Sequence, residues 1–148
     1  MFQAFSKYAD FEGRASRSEY WLFQLLSFIV VTVALIFMFV GAGGPQGSVE
    51  EFVQAGSGST GFMFGVVILV FWMLAAFVPH ISVAVRRFHD HGVSGWWYGG
   101  LVVLSWIPYV GWLASIAMLI TLVRPGTWGP NYFGPDPVNP WRGSDAFA

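Results

Sequence analysis

The sequence contains no cysteine, and only 10% of its 148 residues are charged. The lack of cysteine excludes disulfide bonds, thiolate nucleophiles and thiolate metal ligands. Soluble domains usually carry about 25% charged residues, so the low charge argues against an ordinary globular protein. With a net charge of −1, the chain has no basic excess for binding nucleic acid, and no nucleic-acid partner is expected.

Apolar residues, by contrast, make up 55% of the chain and are concentrated in three long stretches. A helix needs about 20 apolar residues to cross the hydrocarbon core of a bilayer. The stretches cover about residues 20–40, 62–85 and 96–123. They predict an all-α integral membrane protein: a small helical bundle with two full transmembrane helices and a third segment broken by proline. The first stretch is too long for a cleaved signal peptide, whose apolar region has about 7–15 residues.

The chain is expected to form a single multi-pass membrane domain over residues 1–137. Its orientation follows from lysine and arginine, which are enriched in cytoplasmic loops. These residues precede the first stretch and recur at Arg86 and Arg87, whereas residues 41–61 contain none. We therefore expect a cytoplasmic N-terminus and a flexible, Gly/Ser-rich outer loop at 41–61. Residues 124–148, rich in proline and glycine, are expected to form an extended tail.

The third apolar stretch has two alternative interpretations. As a hairpin of two short helices turning at residues 107–111, it would keep every lysine and arginine on the cytoplasmic side. As one proline-kinked helix, it would place Arg124 and Arg142 outside. The positive-inside rule and the aromatic residues around the turn favour the hairpin. Residues 96–123 would nevertheless span only about 42 Å as a helix, less than two full crossings.

Residues 86–97, RRFHDHGVSGWW, concentrate polar groups between two apolar stretches. Either Arg86 or Arg87 could pair with Asp90, because residues three or four apart face each other on a helix. Ser94 is a candidate cap for the following helix, and helix N-terminal amides beside two arginines can bind a phosphate. The alternative is a cytoplasmic loop that is closed by an internal ion pair.

The N-terminal segment adds further polar candidates, and Ser16 with Glu19 matches a capping box that starts a helix near Arg17. The candidates for binding an anion, a lipid headgroup or a partner protein are polar or interfacial residues on the predicted cytoplasmic side. They are Arg14, Arg17, Arg86, Arg87, His89, Asp90, Ser94, Trp96 and Trp97.

His80 lies inside the second apolar stretch, next to Pro79. An ionisable residue inside a membrane helix is a candidate functional residue, and the alternative is a neutral histidine bonded to a neighbouring helix. His89 and His91 form a poor metal site, since zinc requires three or four well-placed ligands. No nucleophile–base arrangement is recognisable, so we expect no metal, no other cofactor and no catalytic residue.

Three motifs together resemble a known family. They are F-x-G-R-x-x-R-x-E-Y-W at residues 11–21, R-R-F-H-D-x-x-x-S-G-W-W at 86–97, and G-P-N-Y-F-G-P-D-P at 129–137. In this order they are similar to the bacterial family called domain of unknown function 805, over about residues 5–137. The resemblance implies a multi-pass protein of the bacterial inner membrane, and it brings no activity, substrate or catalytic residue. With the hairpin, all three motifs would meet at the cytoplasmic surface.

Three functional interpretations follow. The first is a non-enzymatic membrane protein whose arginine, histidine and aspartate cluster binds an anionic lipid headgroup or another membrane protein. The second is a subunit of a transporter or channel, with His80 beside a polar path; so few helices would then require a homo-oligomer. A membrane-embedded enzyme is the third. In each case the lipid bilayer is the common partner.

The side of the C-terminus separates the two forms of the third stretch. A cysteine added after Ala148 would be the protein's only thiol. The hairpin predicts that a membrane-impermeant thiol reagent labels this cysteine only after cells are lysed. Labelling in intact cells would instead indicate a single kinked crossing.

Overall fold

The computed structural model describes residues 3–139 of the chain. The regular secondary structure of this part is helical, apart from one isolated β-bridge between Asn131 and Gly134. The helices are α1 (Gln3–Ser6), α2 (Arg17–Gly41), α3 (Val49–Ser57), α4 (Thr60–Asp90), α5 (Trp96–Ser105) and α6 (Gly111–Val123). The predicted all-α fold is confirmed.

The helices α2 and α4 are both long and apolar enough to cross a membrane. With 25 and 31 residues, they measure about 37 and 46 Å at 1.5 Å per residue, more than the hydrocarbon core requires. Many of their large apolar side chains are exposed, as lipid-facing residues are; Phe28 and Phe71 are examples. Pro79 lies within α4 without ending it.

The third apolar stretch forms a hairpin rather than one kinked helix. Its two helices, α5 and α6, pack against each other and are joined by a turn in which Tyr109 has a φ of +66°. With 10 and 13 residues, they extend about 15 and 20 Å, each shorter than a bilayer core. Both helices of the hairpin belong to the same compact part of the chain as the C-terminal end of α4.

Two compact units make up the described chain, and the boundaries between them fall within α2 and α4. One unit contains residues 3–23 and 78–139, and the other contains residues 24–77. In the first unit, the Ser82 hydroxyl on α4 donates to the carbonyl oxygens of Lys7 and Asp10 at 3.2 and 2.8 Å. These bonds hold the N-terminal segment against α4.

In the second unit, the expectation of a flexible loop is wrong for part of residues 41–61. Helix α3 lies there, and its N-cap Ser48 accepts a hydrogen bond from the Glu51 amide at 3.2 Å. The apolar residues of α3 recur with helical spacing among the glycines and serines, which allows one face to pack. On that face, the ring of Phe52 meets the ring of Phe62 with centroids 5.6 Å apart.

Close approach of α2 and α4 within the second unit depends on Gly65. A Cβ atom at this position would lie 2.5 Å from the Ala34 carbonyl oxygen and 2.7 Å from Cγ of Met38. A Cβ at Gly61, the other glycine of the G-x-x-x-G pair, would be no closer than 3.7 Å to its neighbours. The small side chain is therefore needed at Gly65, where the backbones meet.

We expect Gly65→Ala to destabilise the protein by about 1–3 kcal/mol, because the added methyl group overpacks the contact between α2 and α4. Gly61→Ala is the matched control, since it gains the same helix propensity at a position with space. Unfolding of both purified variants in detergent micelles measures the difference. Equal stability of the two variants would contradict the need for a small residue at Gly65.

Candidate functional site

The candidate site is built where the N-terminal motif meets the C-terminal end of α4. Gly13 adopts a φ of +75°, which turns the chain so that the Ala15 amide donates to the Arg86 carbonyl at 3.1 Å. The Ser16 hydroxyl accepts from the Glu19 amide at 3.2 Å and starts α2, as the capping box predicted. The carboxylate of Glu19, however, is used elsewhere.

Asp90, the last residue of α4, holds two buried arginines. Its Oδ1 accepts from Nε of Arg14 at 2.9 Å, and its Oδ2 accepts from Nη1 of Arg87. The two arginine side chains are 1% and 0% exposed. The backbone carbonyl of Asp90 also accepts from the amide and hydroxyl of Thr127, at 2.8 and 3.0 Å. Asp90 therefore joins the N-terminal segment, α4 and the tail.

The remaining donors of both arginines bind main-chain carbonyl oxygens. Arg14 donates to Thr127 and Gly129, both at 2.6 Å. Arg87 donates to Leu122 at 3.3 Å and to the carbonyl of Arg124. Every nitrogen of these two guanidinium groups thus has an acceptor, and the main-chain acceptors belong to the end of α6 and the start of the tail.

Arg86 does not pair with Asp90, contrary to one of the two predicted pairings. Its Nη1 donates to Oε1 of Glu19 at 2.7 Å, and the arginine side chain is fully buried. Its Nε and Nη2 have no hydrogen-bond partner among residues 3–139. The Arg87–Asp90 pairing, three residues apart, is the predicted alternative that the structure contains.

His89 supports the tail. Its ring stacks on Phe133 with centroids 4.0 Å apart and planes within 3°, while Nδ1 lies 3.2 Å from the Gly13 carbonyl oxygen. The carbonyl of His89 accepts from Nδ2 of Asn131 at 2.9 Å. The described tail contains turns, and Asn131 and Phe133 hold it against the end of α4.

A cavity of about 170 Å³ lies between the start of α2, the end of α4 and the tail. Its charged lining consists of Arg14, Arg17, Arg87, Asp90 and Asp136. Three positive and two negative charges leave the lining with one net positive charge. The Arg17 side chain is exposed, and it makes no hydrogen bond or ion pair within residues 3–139. Its donors are available to an anion, unlike those of the two buried arginines.

Asp136 is held in its charged form by the tail around it. Amide donation from Val138, at 2.9 Å, is the main cause that keeps the pKa of its carboxyl below the usual value, and the Asn139 and Gly129 amides add to it. The charged form thus stabilises the folded tail at neutral pH, and this contribution is lost as the pH falls through the lowered pKa. Burial, followed by the nearby Arg87 charge, lowers the pKa of His91.

The other predicted residues have different surroundings. Trp96 and Trp97 are exposed at the start of α5. Ser94 directly precedes Gly95, the N-cap residue of α5, and the Ser94 hydroxyl accepts a hydrogen bond from the Trp96 amide at 3.5 Å. His80 packs edge-on against Phe23 with ring centroids 4.7 Å apart.

Gly126, Thr127 and Trp128 are among the lining residues of the cavity that the sequence interpretation missed. Gly126 is required because a Cβ atom there would collide with the Asp90 carboxylate. A glycine and a threonine in a Pro/Gly-rich tail carry no local signal of this role. Their contacts depend on residues far away in the chain.

A family model described as "Protein of unknown function (DUF805)" matches residues 8–135. The chain belongs to this family. The DUF805 protein is 32% identical over 131 residues to the inner membrane protein YhaI of Escherichia coli K12, covering 88% of this chain and 87% of YhaI. It is 34% identical over 134 residues to the inner membrane protein YhaH of the same strain, covering 88% of each chain. No solved structure matches it.

These relatives and the two long apolar helices identify the DUF805 protein as an inner-membrane protein. The resemblance seen in the three motifs is confirmed. In the structure, the motifs meet near Asp90: Arg14 and Arg87 both bind its carboxylate, and Arg14 also donates to the Gly129 carbonyl of the third motif.

We expect Asp90→Asn to destabilise the DUF805 protein by about 3–5 kcal/mol, because two buried arginines would lose their shared counter-charge. Asp10→Asn is the control, since Asp10 is exposed and its side chain accepts only from the nearby Glu12 amide among the described contacts. Thermal unfolding in micelles measures both variants. If Asp90→Asn unfolds at the same temperature as the control, Asp90 is not the centre of the cluster.

Proposed function

We propose that the cavity beside Arg17 binds the phosphate of an anionic lipid headgroup on the cytoplasmic side of the inner membrane. The observation that carries this proposal is the contrast among the three arginines of the lining. Every guanidinium nitrogen of Arg14 and Arg87 has an internal acceptor, whereas Arg17 lines the cavity without an acceptor in the described chain. A guanidinium with free donors suits a phosphate because it can donate two parallel hydrogen bonds.

Electrostatics adds to this preference. Arg14 and Arg87 share one carboxylate, so their cluster keeps a positive charge close to the cavity. Asp136 offsets this charge, and Arg17 leaves the lining positive overall. Helix α2 also starts at Arg17, and the positive end of a helix dipole favours negative charge nearby.

The membrane orientation in this proposal follows from the distribution of positive charge. Within residues 3–139, all lysines and arginines belong to the unit formed by residues 3–23 and 78–139, and residues 24–77 have none. The positive-inside rule therefore favours a cytoplasmic location for the first unit. With two full crossings and a hairpin that returns to this unit, the N-terminus and the tail would both be cytoplasmic.

Exposed aromatic residues support a lipid rather than a soluble phosphate ester as the ligand. Trp128 lines the cavity and is 79% exposed, and Trp96 in the same unit is 86% exposed. Tryptophan is enriched at the depth of lipid headgroups. Arg17 also directly precedes the apolar part of α2, which supports the same depth for the cavity.

We expect Arg17→Ala to weaken binding of short-chain phosphatidylglycerol by about tenfold or more, since hydrogen bonds to charged groups contribute about 1.5–3 kcal/mol. The measurement is a titration of the purified protein in neutral detergent with dihexanoyl phosphatidylglycerol, followed by native mass spectrometry. Lys7→Ala is the matched control, because it removes one exposed positive charge from the same N-terminal segment.

Dihexanoyl phosphatidylcholine and inorganic phosphate serve as comparison ligands in the same titration. The proposal expects the anionic lipid to bind most tightly of the three. Equal losses of affinity in Arg17→Ala and Lys7→Ala would show a general charge effect and refute a site at Arg17. Tighter binding of inorganic phosphate than of the lipid would refute a headgroup site.

A further inference from the structure

Helix α3, in the unit formed by residues 24–77, has one apolar face and one polar face. Val49, Phe52, Val53 and Gly56 share a face by their helical spacing. On this face only part is covered by protein: Gly56 lies against the Phe62 ring, while Val49 and Val53 are 80% and 49% exposed.

The opposite face of α3 carries Glu50, Glu51 and Gln54, all of them exposed. A short helix with this division of residues lies in the membrane–water interface, with its apolar face toward the acyl chains. The uncovered valines are therefore suited to contact with acyl chains.

An apolar groove runs along α2 up to this helix. Thr32, Leu35, Ile36 and Phe39 lie at i, i+3, i+4 and i+7, so they share one face of α2. With Phe52 of α3, they line a cavity of about 390 Å³. This stripe is about 10 Å long, which matches a section of an extended acyl chain.

A second cavity, of about 460 Å³, adjoins the first and shares Phe39 and Phe52 with it. Its other lining residues come from the loop at 45–49, which leads into α3. The groove therefore passes from a mainly apolar lining, in which Thr32 is the one polar residue, to a segment that contains Gln46 and Ser48. A groove with an apolar part and a polar part suits a single amphiphilic molecule whose acyl chain lies along α2.

The charge at the polar end restricts the headgroup. Oε2 of Glu51 accepts from the Gly47 amide at 3.0 Å, and Glu50 lies beside it on the exposed face of α3. Residues 41–61 contain no lysine or arginine. Two carboxylates without a basic neighbour in this segment disfavour an anionic headgroup and favour one that bears an ammonium group.

We propose that the groove between α2 and α3 binds one phospholipid with a zwitterionic, amine-bearing headgroup. One acyl chain lies along Ile36 and Phe39, and the ammonium group lies near Glu50 and Glu51. This site shares no residue with the cavity at Arg17. It prefers a zwitterionic headgroup, whereas the cavity at Arg17 prefers an anionic one.

The test uses Ile36→Trp, which fills the groove, and Ile29→Trp, which adds the same bulk to an exposed position on α2 that does not line it. Both variants are made in the Arg17→Ala background, so that retained lipid does not report on the arginine cavity. The proteins are reconstituted in equimolar phosphatidylethanolamine and phosphatidylglycerol, extracted with mild detergent and analysed by native mass spectrometry.

We expect the Arg17→Ala protein and its Ile29→Trp variant to retain one phosphatidylethanolamine per chain. The Ile36→Trp variant should retain at least tenfold less. Equal retention by Ile36→Trp and Ile29→Trp would mean that the lipid is merely annular, and it would overturn the site. Glu50→Lys, which leaves the groove open, should shift retention toward phosphatidylglycerol. An unchanged ratio of the two lipids in Glu50→Lys would overturn the headgroup assignment.

Discussion

The ion pairs of Asp90 with two buried arginines are the interaction on which the candidate site depends. Moving a guanidinium out of water costs several kcal/mol, and this cost is offset only when good geometry and additional hydrogen bonds satisfy the charge. Arg14 and Arg87 meet this condition through the shared carboxylate and through carbonyl oxygens of the main chain. Because those carbonyls belong to the end of α6 and to the tail, the contacts that satisfy the buried charges also hold the tail in place.

Arginines in this protein differ in role because they differ in partners. Arg14, Arg86 and Arg87 are buried and each pairs with a carboxylate, as structural residues do. Arg17 begins α2, is exposed and is one of the residues that line the cavity. A cluster of arginines near a membrane surface is thus compatible with both a structural and a ligand-binding role. The hydrogen-bond partners of each guanidinium separate the two.

The two units rely on different physical forces. In the unit that contains the three motifs, polar contacts between segments distant in sequence dominate, and the shared aspartate is their centre. Apolar contacts hold the unit of residues 24–77, where Gly65 admits close backbone approach and Phe62 meets α3. Helix α3 also shows that a glycine-rich segment can fold when its few apolar residues keep helical spacing.

The sequence by itself determined the long apolar helices, the start of α2 at Ser16 and Arg17, and the membership of the family, because hydropathy, capping and motifs are local properties. It also predicted that Arg87 could pair with Asp90, three residues away. Only the tertiary structure decided that Arg86 binds Glu19, that the third stretch folds as a hairpin, and that Gly126 must lack a side chain. Arg14 reaches Asp90 across 76 positions, and no local pattern specifies such a partner. Which carboxylate each arginine meets depends on how the helices pack. The same packing leaves Arg17 without a carboxylate partner in the described chain.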